Sequence, residues 1–264
     1  NIKSAVFNIA NALFGGNKAS ANGGAIYNAD EMTINGATFK DNAAQNGGAI
    51  YNAGTLNLKG NITVAAATTD EDGTITAGND IYNAGTLNLN ELKAESGEND
   101  EDAAGEIKLN SLVTNTADAE LNINNGTVAL INVTNDGTLN INGGEVTLNG
   151  AITAALDSNN AATSGALNIN GGSLTLAESA SITQKTMSIS KEVEFSANAG
   201  QLKISEELNN AGTLTFTGGD NKNAIVNTGT LEYKYATDEN GNPITTDDAT
   251  GNPITLTNSG TISG

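Results

Sequence analysis

Short runs in which apolar and polar residues alternate recur along the whole chain. Met32 and Ile34 alternate with polar neighbours, and so do Leu56 and Leu58. A period of two is typical of β-strands, whose successive side chains point to opposite faces. Gly and Asn interrupt nearly every run, and no apolar pattern with helical spacing survives ten residues. The pattern therefore predicts many short strands and argues against a helical solenoid.

The strand-like runs belong to a repeated unit. Its clearest copy is GGAIYNAGTLNL at 47–58, and close copies occupy 23–34 and 79–89. A repeat of about 24 residues with three short strands is typical of a parallel β-helix, in which each coil adds about 4.8 Å. We expect one all-β domain over residues 1–264, a single-stranded parallel β-helix of about ten coils with loop insertions. We also expect this domain to be a fragment of a longer chain. Shorter copies of the unit lie at 133–141, 208–216, 225–233 and 256–262.

An Asn precedes the Gly-Thr-Leu strand in most copies of the unit. At a sharp corner, an inward carboxamide can bond to the backbone and to its counterpart in the next coil. The sequence therefore predicts one buried structural ladder, with Thr163 and Thr183 filling the gap between Asn135 and Asn210. Its predicted members are Asn28, Asn52, Asn83, Asn115, Asn135, Asn210, Asn227 and Asn258.

Two outward rows are candidates for surface contact. Tyr27, Tyr51 and Tyr82 each follow an inward Ile, so alternation places them outside. They either stack on one another to protect the surface or contact a sugar or a protein partner. A row of threonines either reflects β-propensity or forms a flat face for glycan or ice. Its predicted members are Thr55, Thr86, Thr138, Thr213 and Thr230.

Three insertions interrupt the repeats, near 65–78, 91–106 and 236–253. The second is strongly acidic, and the third contains two similar Gly-Asn-Pro-Ile turns, which predict a projecting β-arm. Loops on one side of a rigid solenoid are common places for recognition. We therefore expect specific binding in these insertions.

The pairing of an FxxN motif with GGAI resembles the repeats of polymorphic outer membrane proteins. Phe14 and Asn17 precede the GGAI of 23–26, and Phe39 and Asn42 precede that of 47–50. These proteins are autotransporters whose passenger domains are right-handed parallel β-helices on the bacterial surface. The resemblance covers about the first 60 residues, and the chain carries no translocator barrel. It implies a right-handed helix, secretion, display at the cell surface and a role in adhesion or surface coating.

Composition narrows the classes of partner and chemistry. The net charge of −19 repels phosphate backbones, so we expect no nucleic-acid binding. No apolar run is long enough for a transmembrane helix, so we expect no membrane insertion by this segment. His and Cys are absent, which excludes His-containing triads, thiol nucleophiles and typical zinc sites. Glu145, Glu178 and Glu232 form no repeated facing pair along the strands, so we expect no enzyme and no cofactor.

Calcium is the metal that best fits the acidic segments, because it takes several oxygen ligands. The segments 98–102 and 238–242 supply carboxylates and carboxamides. Neither matches the pattern of a helix–loop–helix calcium site, so a solvated loop is the simpler interpretation.

The sequence as a whole favours a non-enzymatic, adhesin-like protein of the bacterial cell surface. Its expected partner is a protein or glycan of a host or neighbouring cell. The leading alternative is a self-assembling structural fibre or surface-layer subunit that associates end to end through exposed β edges. A glycan-cleaving or glycan-binding β-helix protein is the third and less favoured function.

Overall fold

The computed structural model describes residues 6–69, 75–90, 105–234, 242, 243, 245, 256–258 and 260–263. In this part of the chain no helix is long and apolar enough to cross a bilayer. The regular elements are short strands and one 3₁₀ helix, Ala199–Gln201. The strands are β1 Val6–Gly15, β2 Ile26–Asn28, β3 Glu31–Lys40, β4 Ile50–Asn52, β5 Thr55–Val64, β6 Thr68–Thr69, β7 Ile75–Ala77, β8 Ile81–Asn83, β9 Thr86–Leu89, β10 Glu106–Asn115, β11 Glu120–Ile123, β12 Thr127–Asn135, β13 Thr138–Ile141, β14 Glu145–Leu148, β15 Ala151–Thr153, β16 Ala166–Ile169, β17 Ser173–Leu176, β18 Ser181–Ile189, β19 Glu194–Asn198, β20 Leu202–Asn210, β21 Thr213–Asn221, β22 Ile225–Asn227, β23 Thr230–Tyr233, β24 Leu256–Asn258 and β25 Ile262–Ser263.

Strands pair in parallel with their equivalents one coil away, which makes the chain an all-β parallel solenoid, as predicted. The coil has three faces, and the longer strands bend from one face to the next. Face 1 contains β2, β4, β8 and β15, the second halves of β10 and β12, and the first halves of β18 and β20. Face 2 contains the first halves of β1, β3 and β5, then β9, β11, β13, β16, the second halves of β18 and β20, β22 and β25. Face 3 contains the second halves of β1, β3 and β5, the first halves of β10 and β12, then β14, β17, β19, the first half of β21 and β23.

The core is a set of stacked apolar columns inside the coils. On face 2, Leu56 lies opposite Leu87, which lies opposite Leu121. All three are completely buried. Burying one such side chain contributes about 1.5–3 kcal/mol, and every coil repeats this contribution. Small branched residues suffice because each layer packs against an identical layer.

The phenylalanines of the FxxN motif end one of these columns. The rings of Phe14 and Phe39 stack with centroids 4.8 Å apart and planes within 7°. The Asn of the same motif then turns the chain out of face 3. Asn42 Nδ2 donates to the Phe14 carbonyl at 2.9 Å. One coil later Asn79, which belongs to no FxxN motif, makes the same bond to the Phe39 carbonyl at 3.0 Å. The motif therefore closes one strand and fixes the following corner.

The predicted insertions lie partly outside the described residues. In the first, β6 and β7 form an antiparallel pair, while residues 70–74 are outside the description. Most of 91–106 is also outside it, and only 242, 243 and 245 of 236–253 are described. The structure adds an insertion that the repeats did not reveal, residues 154–165 between β15 and β16.

Candidate functional site

The three predicted surface tyrosines form one stack on face 1. β2, β4 and β8 pair in register, so Tyr27, Tyr51 and Tyr82 lie directly above one another. Both ring pairs have centroids 5.2 Å apart, and their planes agree within 3° and 5°. Tyr27 is 55% exposed, and the other two are half-buried. The stacking covers the ring faces between neighbouring tyrosines, so the ring edges, the hydroxyl groups and the unstacked face of Tyr27 are the parts left for solvent or a partner.

Threonine continues this outward row in the following coils. Thr114 lies opposite Tyr82, and Thr134 lies opposite Thr114. Thr153 comes next. The outer surface of face 1 therefore changes from phenol groups to small hydroxyl groups along the rod.

The first five predicted ladder residues form one continuous buried ladder at the end of face 1. Each Nδ2 donates to the Oδ1 of the next coil at 2.7–2.8 Å, from Asn28 through Asn52, Asn83 and Asn115 to Asn135. The first four amides also bond to the backbone of their own corners. In Asn52, for example, Nδ2 donates to the Gly54 carbonyl at 3.2 Å while Oδ1 accepts from the Gly54 N–H at 3.3 Å. All five side chains are buried.

The prediction of a single ladder through all eight asparagines is wrong. Asn210 and Asn227 bond to each other at 2.7 Å, but they lie at the end of face 2, where Asn210 is opposite Ile189. Asn258 lies opposite Asn221 and not opposite Asn227. Its Oδ1 accepts from Asn221 Nδ2 at 2.7 Å. The physical reason is that the Asn-x-Gly-Thr motif builds a corner, and any of the solenoid's corners can use it.

The gap after Asn135 is also filled differently from the prediction. Thr163 lies exposed in the 154–165 insertion, and Thr183 points outward in the row that follows Thr153. Gln184 takes the ladder position instead, and its Oε1 accepts from Asn135 Nδ2 at 2.6 Å. Continuing the register of β15 places the buried Ala154 between them. The longer glutamine side chain thus spans the coil in which alanine replaces the amide.

A second ladder, which the sequence analysis missed, runs along the outer surface of face 2. Asn88 Nδ2 donates to Asn57 Oδ1 at 2.8 Å, and the chain of bonds continues through Asn122, Asn140 and Asn168 to the hydroxyl of Ser188. These side chains are half-buried. The signal was the Asn two residues after the Gly-Thr of each repeat.

The predicted threonine row does not form one row. Thr55 and Thr86 are neighbours on face 2, but Glu120 separates Thr86 from Thr138. Thr213 and Thr230 pair with each other on face 3. A single flat threonine face is therefore not present in this arrangement.

The 154–165 insertion is held by charged and polar side chains. Asp136 Oδ1 accepts from the Ala155 N–H and the Ser164 hydroxyl, both at 2.6 Å. Asp157 Oδ1 accepts from the N–H groups of Ala161 and Asn159, each at 2.8 Å, and these bonds lower the pKa of the carboxyl group below its ordinary range. Lys203 donates to the carbonyl of Asn160. The loop therefore projects from the corner between faces 1 and 2 and is held in place by these hydrogen bonds.

The described acidic side chains do not gather into a cluster. Among those residues, no group of three or more acidic side chains is placed to hold an ion. Segment 98–102 lies outside the description, and only Asn242 of 238–242 lies inside it. The described ion pairs are exposed, as between Lys108 and Glu106 at 2.7 Å, and such pairs contribute little to stability.

The described surface of the rod includes two shallow clefts. One, of about 390 Å³, lies near the corner between faces 2 and 3 and is lined by Asn11, Leu13, Gly36 and Asn61, among others. The other, of about 450 Å³, lies on face 3 beside β17 and β19. Neither cleft has a signal in the sequence, because both depend on how distant strands meet.

No protein-family model, no curated protein and no solved structure matches this chain.

Proposed function

We propose that the chain is a non-enzymatic part of a secreted bacterial surface protein of the adhesin-like autotransporter passenger type. The solenoid holds contact surfaces on a rigid rod, and these surfaces bind a protein or glycan of a host or neighbouring cell. The proposal assigns no catalytic residue and no cofactor.

The exposed stack of Tyr27, Tyr51 and Tyr82 is the observation that carries this proposal. Tyrosine is favoured at recognition surfaces because it offers a large amphipathic contact area and loses little conformational entropy on binding. The stacking of the rings at 5.2 Å reduces that loss further, because the rings are already fixed. The hydroxyl groups then offer both donors and acceptors along one line of the rod.

A cell-binding assay tests the proposal. Fluorescent beads coated with the purified chain are applied to cultured epithelial cells and to bacterial cells. A variant with Tyr27→Ser, Tyr51→Ser and Tyr82→Ser is compared with a control in which Thr114, Thr134 and Thr153 of the same outward row become Ala. We expect the wild type and the control to adhere, and the tyrosine variant to lose at least about 90% of adhesion, equivalent to about 1.4 kcal/mol.

Two results would count against the proposal. One is that wild-type beads adhere to neither kind of cell. The other is that the tyrosine variant adheres as well as the wild type while circular dichroism shows both to be folded.

The second candidate function is a self-assembling fibre or surface-layer subunit. Strands pair in parallel from coil to coil in the described part of the chain, and Leu13 on β1 is 73% exposed. An unpaired strand edge is a template for another chain. Negative-stain microscopy of the purified chain separates the two functions, since filaments support the fibre and isolated short rods support the adhesin.

A further inference from the structure

Face 3 contains a break in the hydrogen-bonded sheet. β17 pairs with β14 and belongs to the large sheet, whereas β19 begins a separate sheet with β21 and β23. On face 2 the same two coils contain β16, which precedes β17, and the second half of β18, which precedes β19. These two strands pair through four consecutive residues. The strand pairing between the two coils is therefore interrupted on face 3, where β17 and β19 remain neighbours without a ladder of hydrogen bonds.

The cleft of about 450 Å³ lies beside this interruption. This volume lies within the range of about 300–1,000 Å³ that is usual for small-molecule sites. The side chains at its surface come from β17, the turn after it, β19, the 3₁₀ helix and β21. Those that matter here are Leu176, Glu178, Ser196, Asn198, Gln201 and Thr217.

Hydrogen bonds hold the cleft in its open shape. Gln201 Nε2 crosses the break and donates to the carbonyls of Ala177 and Ala180 at 2.9 and 3.0 Å. Gln201 Oε1 accepts from the Asn198 N–H at 3.0 Å, and Asn198 Oδ1 accepts from the Gly200 N–H at 2.9 Å. These bonds take the place of strand pairing at one end of the break. The opening is thus preformed, which lowers the entropy that a ligand must overcome.

The groups that remain available in the cleft suit a neutral sugar. Within the described part of the chain, the carboxylate of Glu178 forms no ion pair, and the hydroxyl groups of Ser196 and Thr217 have no recorded bond. Asn198 uses its oxygen for Gly200 and keeps its nitrogen as a donor. Leu176 adds an apolar surface. Sugar hydroxyl groups pair with such donors and acceptors while sugar C–H groups pack on the aliphatic surface.

Charge decides against anionic ligands. Glu178 is exposed in the cleft, and the whole chain carries −19. A sialic acid or a phosphate group would meet repulsion there. A carboxylate accepting from sugar hydroxyl groups instead forms charge-assisted hydrogen bonds.

We propose that this break in face 3 is a binding subsite for one or two units of a neutral saccharide. The subsite rests on the proposed surface-contact function and names one class of ligand for it. The tyrosine stack lies on another face, so the two surfaces can be tested separately.

The test is a titration of the intact chain, followed by backbone amide shifts in NMR spectra. The probes are lactose, cellobiose and diacetylchitobiose, with sialyllactose as the anionic comparison. We expect at least one neutral probe to bind with a Kd of about 1 mM and to shift the amides of residues 196–201. Sialyllactose should bind more weakly than lactose.

Matched substitutions on face 3 locate the binding. Glu178→Gln and Thr217→Val should each weaken binding at least about fivefold, since each removes one hydrogen-bonding or charged group. The controls are Glu145→Gln and Thr147→Val on β14, where strand pairing is intact. We expect both controls to bind like the wild type.

Several results would overturn the subsite. They are binding of none of the three neutral probes, shifts centred outside 196–201, or equal losses in the cleft variants and the β14 controls. Sugar binding in the cleft without cell adhesion supports the subsite and refutes the tyrosine-based function. Cell adhesion through the tyrosines without sugar binding supports the tyrosine-based function and refutes the subsite.

Discussion

Removing one amide from the middle of the buried face 1 ladder should destabilise the whole solenoid. Asn83 is completely buried, and its Oδ1 accepts from Asn52 Nδ2 at 2.7 Å. Its Nδ2 donates to Asn115 Oδ1 at 2.7 Å and to the carbonyls of Glu120 and Gly85 at 2.9 and 3.1 Å. Asn83→Ala removes all of these bonds at a position that bulk solvent does not reach.

The expected loss follows from the groups left behind. Asn83 is the recorded donor to Asn115 Oδ1, so the substitution leaves that buried acceptor unpaired at a cost of about 1–3 kcal/mol. Two backbone carbonyls each lose a donor, at about 0.5–1.5 kcal/mol apiece. We therefore expect the free energy of unfolding to fall by about 3–5 kcal/mol, and the Tm to fall by roughly 10 °C.

The matched control is Asn122→Ala in the outer ladder of face 2. Asn122 also bonds to two neighbouring amides. Its Nδ2 donates to Asn88 Oδ1 at 3.0 Å, and its Oδ1 accepts from Asn140 Nδ2 at 2.8 Å. It is only half-buried, so water replaces the lost bonds and we expect a loss below about 1 kcal/mol. Guanidinium unfolding followed by circular dichroism measures both variants. Equal losses in the two variants would refute the argument that burial makes the face 1 ladder stabilising.

Three further predictions concern other parts of the repeat. Gly47→Ala should lower the free energy of unfolding by at least about 2 kcal/mol more than Gly16→Ala in the same assay. Both glycines have positive φ, 65° and 68°, but a Cβ at Gly47 would lie 2.2 Å from the Ile50 carbonyl oxygen, whereas a Cβ at Gly16 would meet no atom within 4 Å. Similar losses in the two variants would contradict this. Asn210→Ala should cost about half as much as Asn83→Ala, because Asn210 Oδ1 already lacks a partner and less bonding is lost. An equal loss would contradict this reasoning. The 154–165 loop should be held at neutral pH and released as pH falls through the lowered pKa of Asp157, because the ionised carboxylate is the better acceptor for the Ala161 and Asn159 N–H groups. Amide exchange at Ala161 measures this release, and Asp157→Asn, which keeps an acceptor, should remove the pH dependence.

The sequence was sufficient to predict the fold and the first five ladder residues, because each repeat encodes a strand and the corner after it. Residues 28–135 keep the Asn corner at the end of face 1. The later members were assigned wrongly because the motif specifies a corner without specifying which one. Asn210 and Asn258 have nearly the same local sequence but lie at different corners. Only the pairing of distant strands separates these cases.

The role of Gln184 and the break in face 3 were beyond local sequence reasoning for the same reason. Gln184 enters the ladder because Ala154, one coil away, leaves space for its longer side chain. The break depends on two strands, β17 and β19, that each look regular alone. Neither feature has a pattern within one repeat.

The irregular features of the described solenoid lie close together in the chain, and this bears on where recognition occurs. The face 1 ladder ends after Gln184, where Ile204 takes the next position, and the new ladder begins on face 2 at Asn210. The unpartnered Oδ1 of Asn210 shows that this change has a cost, of about 1–3 kcal/mol for a buried acceptor. The bonded 154–165 loop and the face 3 cleft occupy the same stretch. A regular solenoid could repeat its ladder without that cost, so an irregular stretch that keeps it is a candidate for a specific site in addition to the tyrosine stack of face 1.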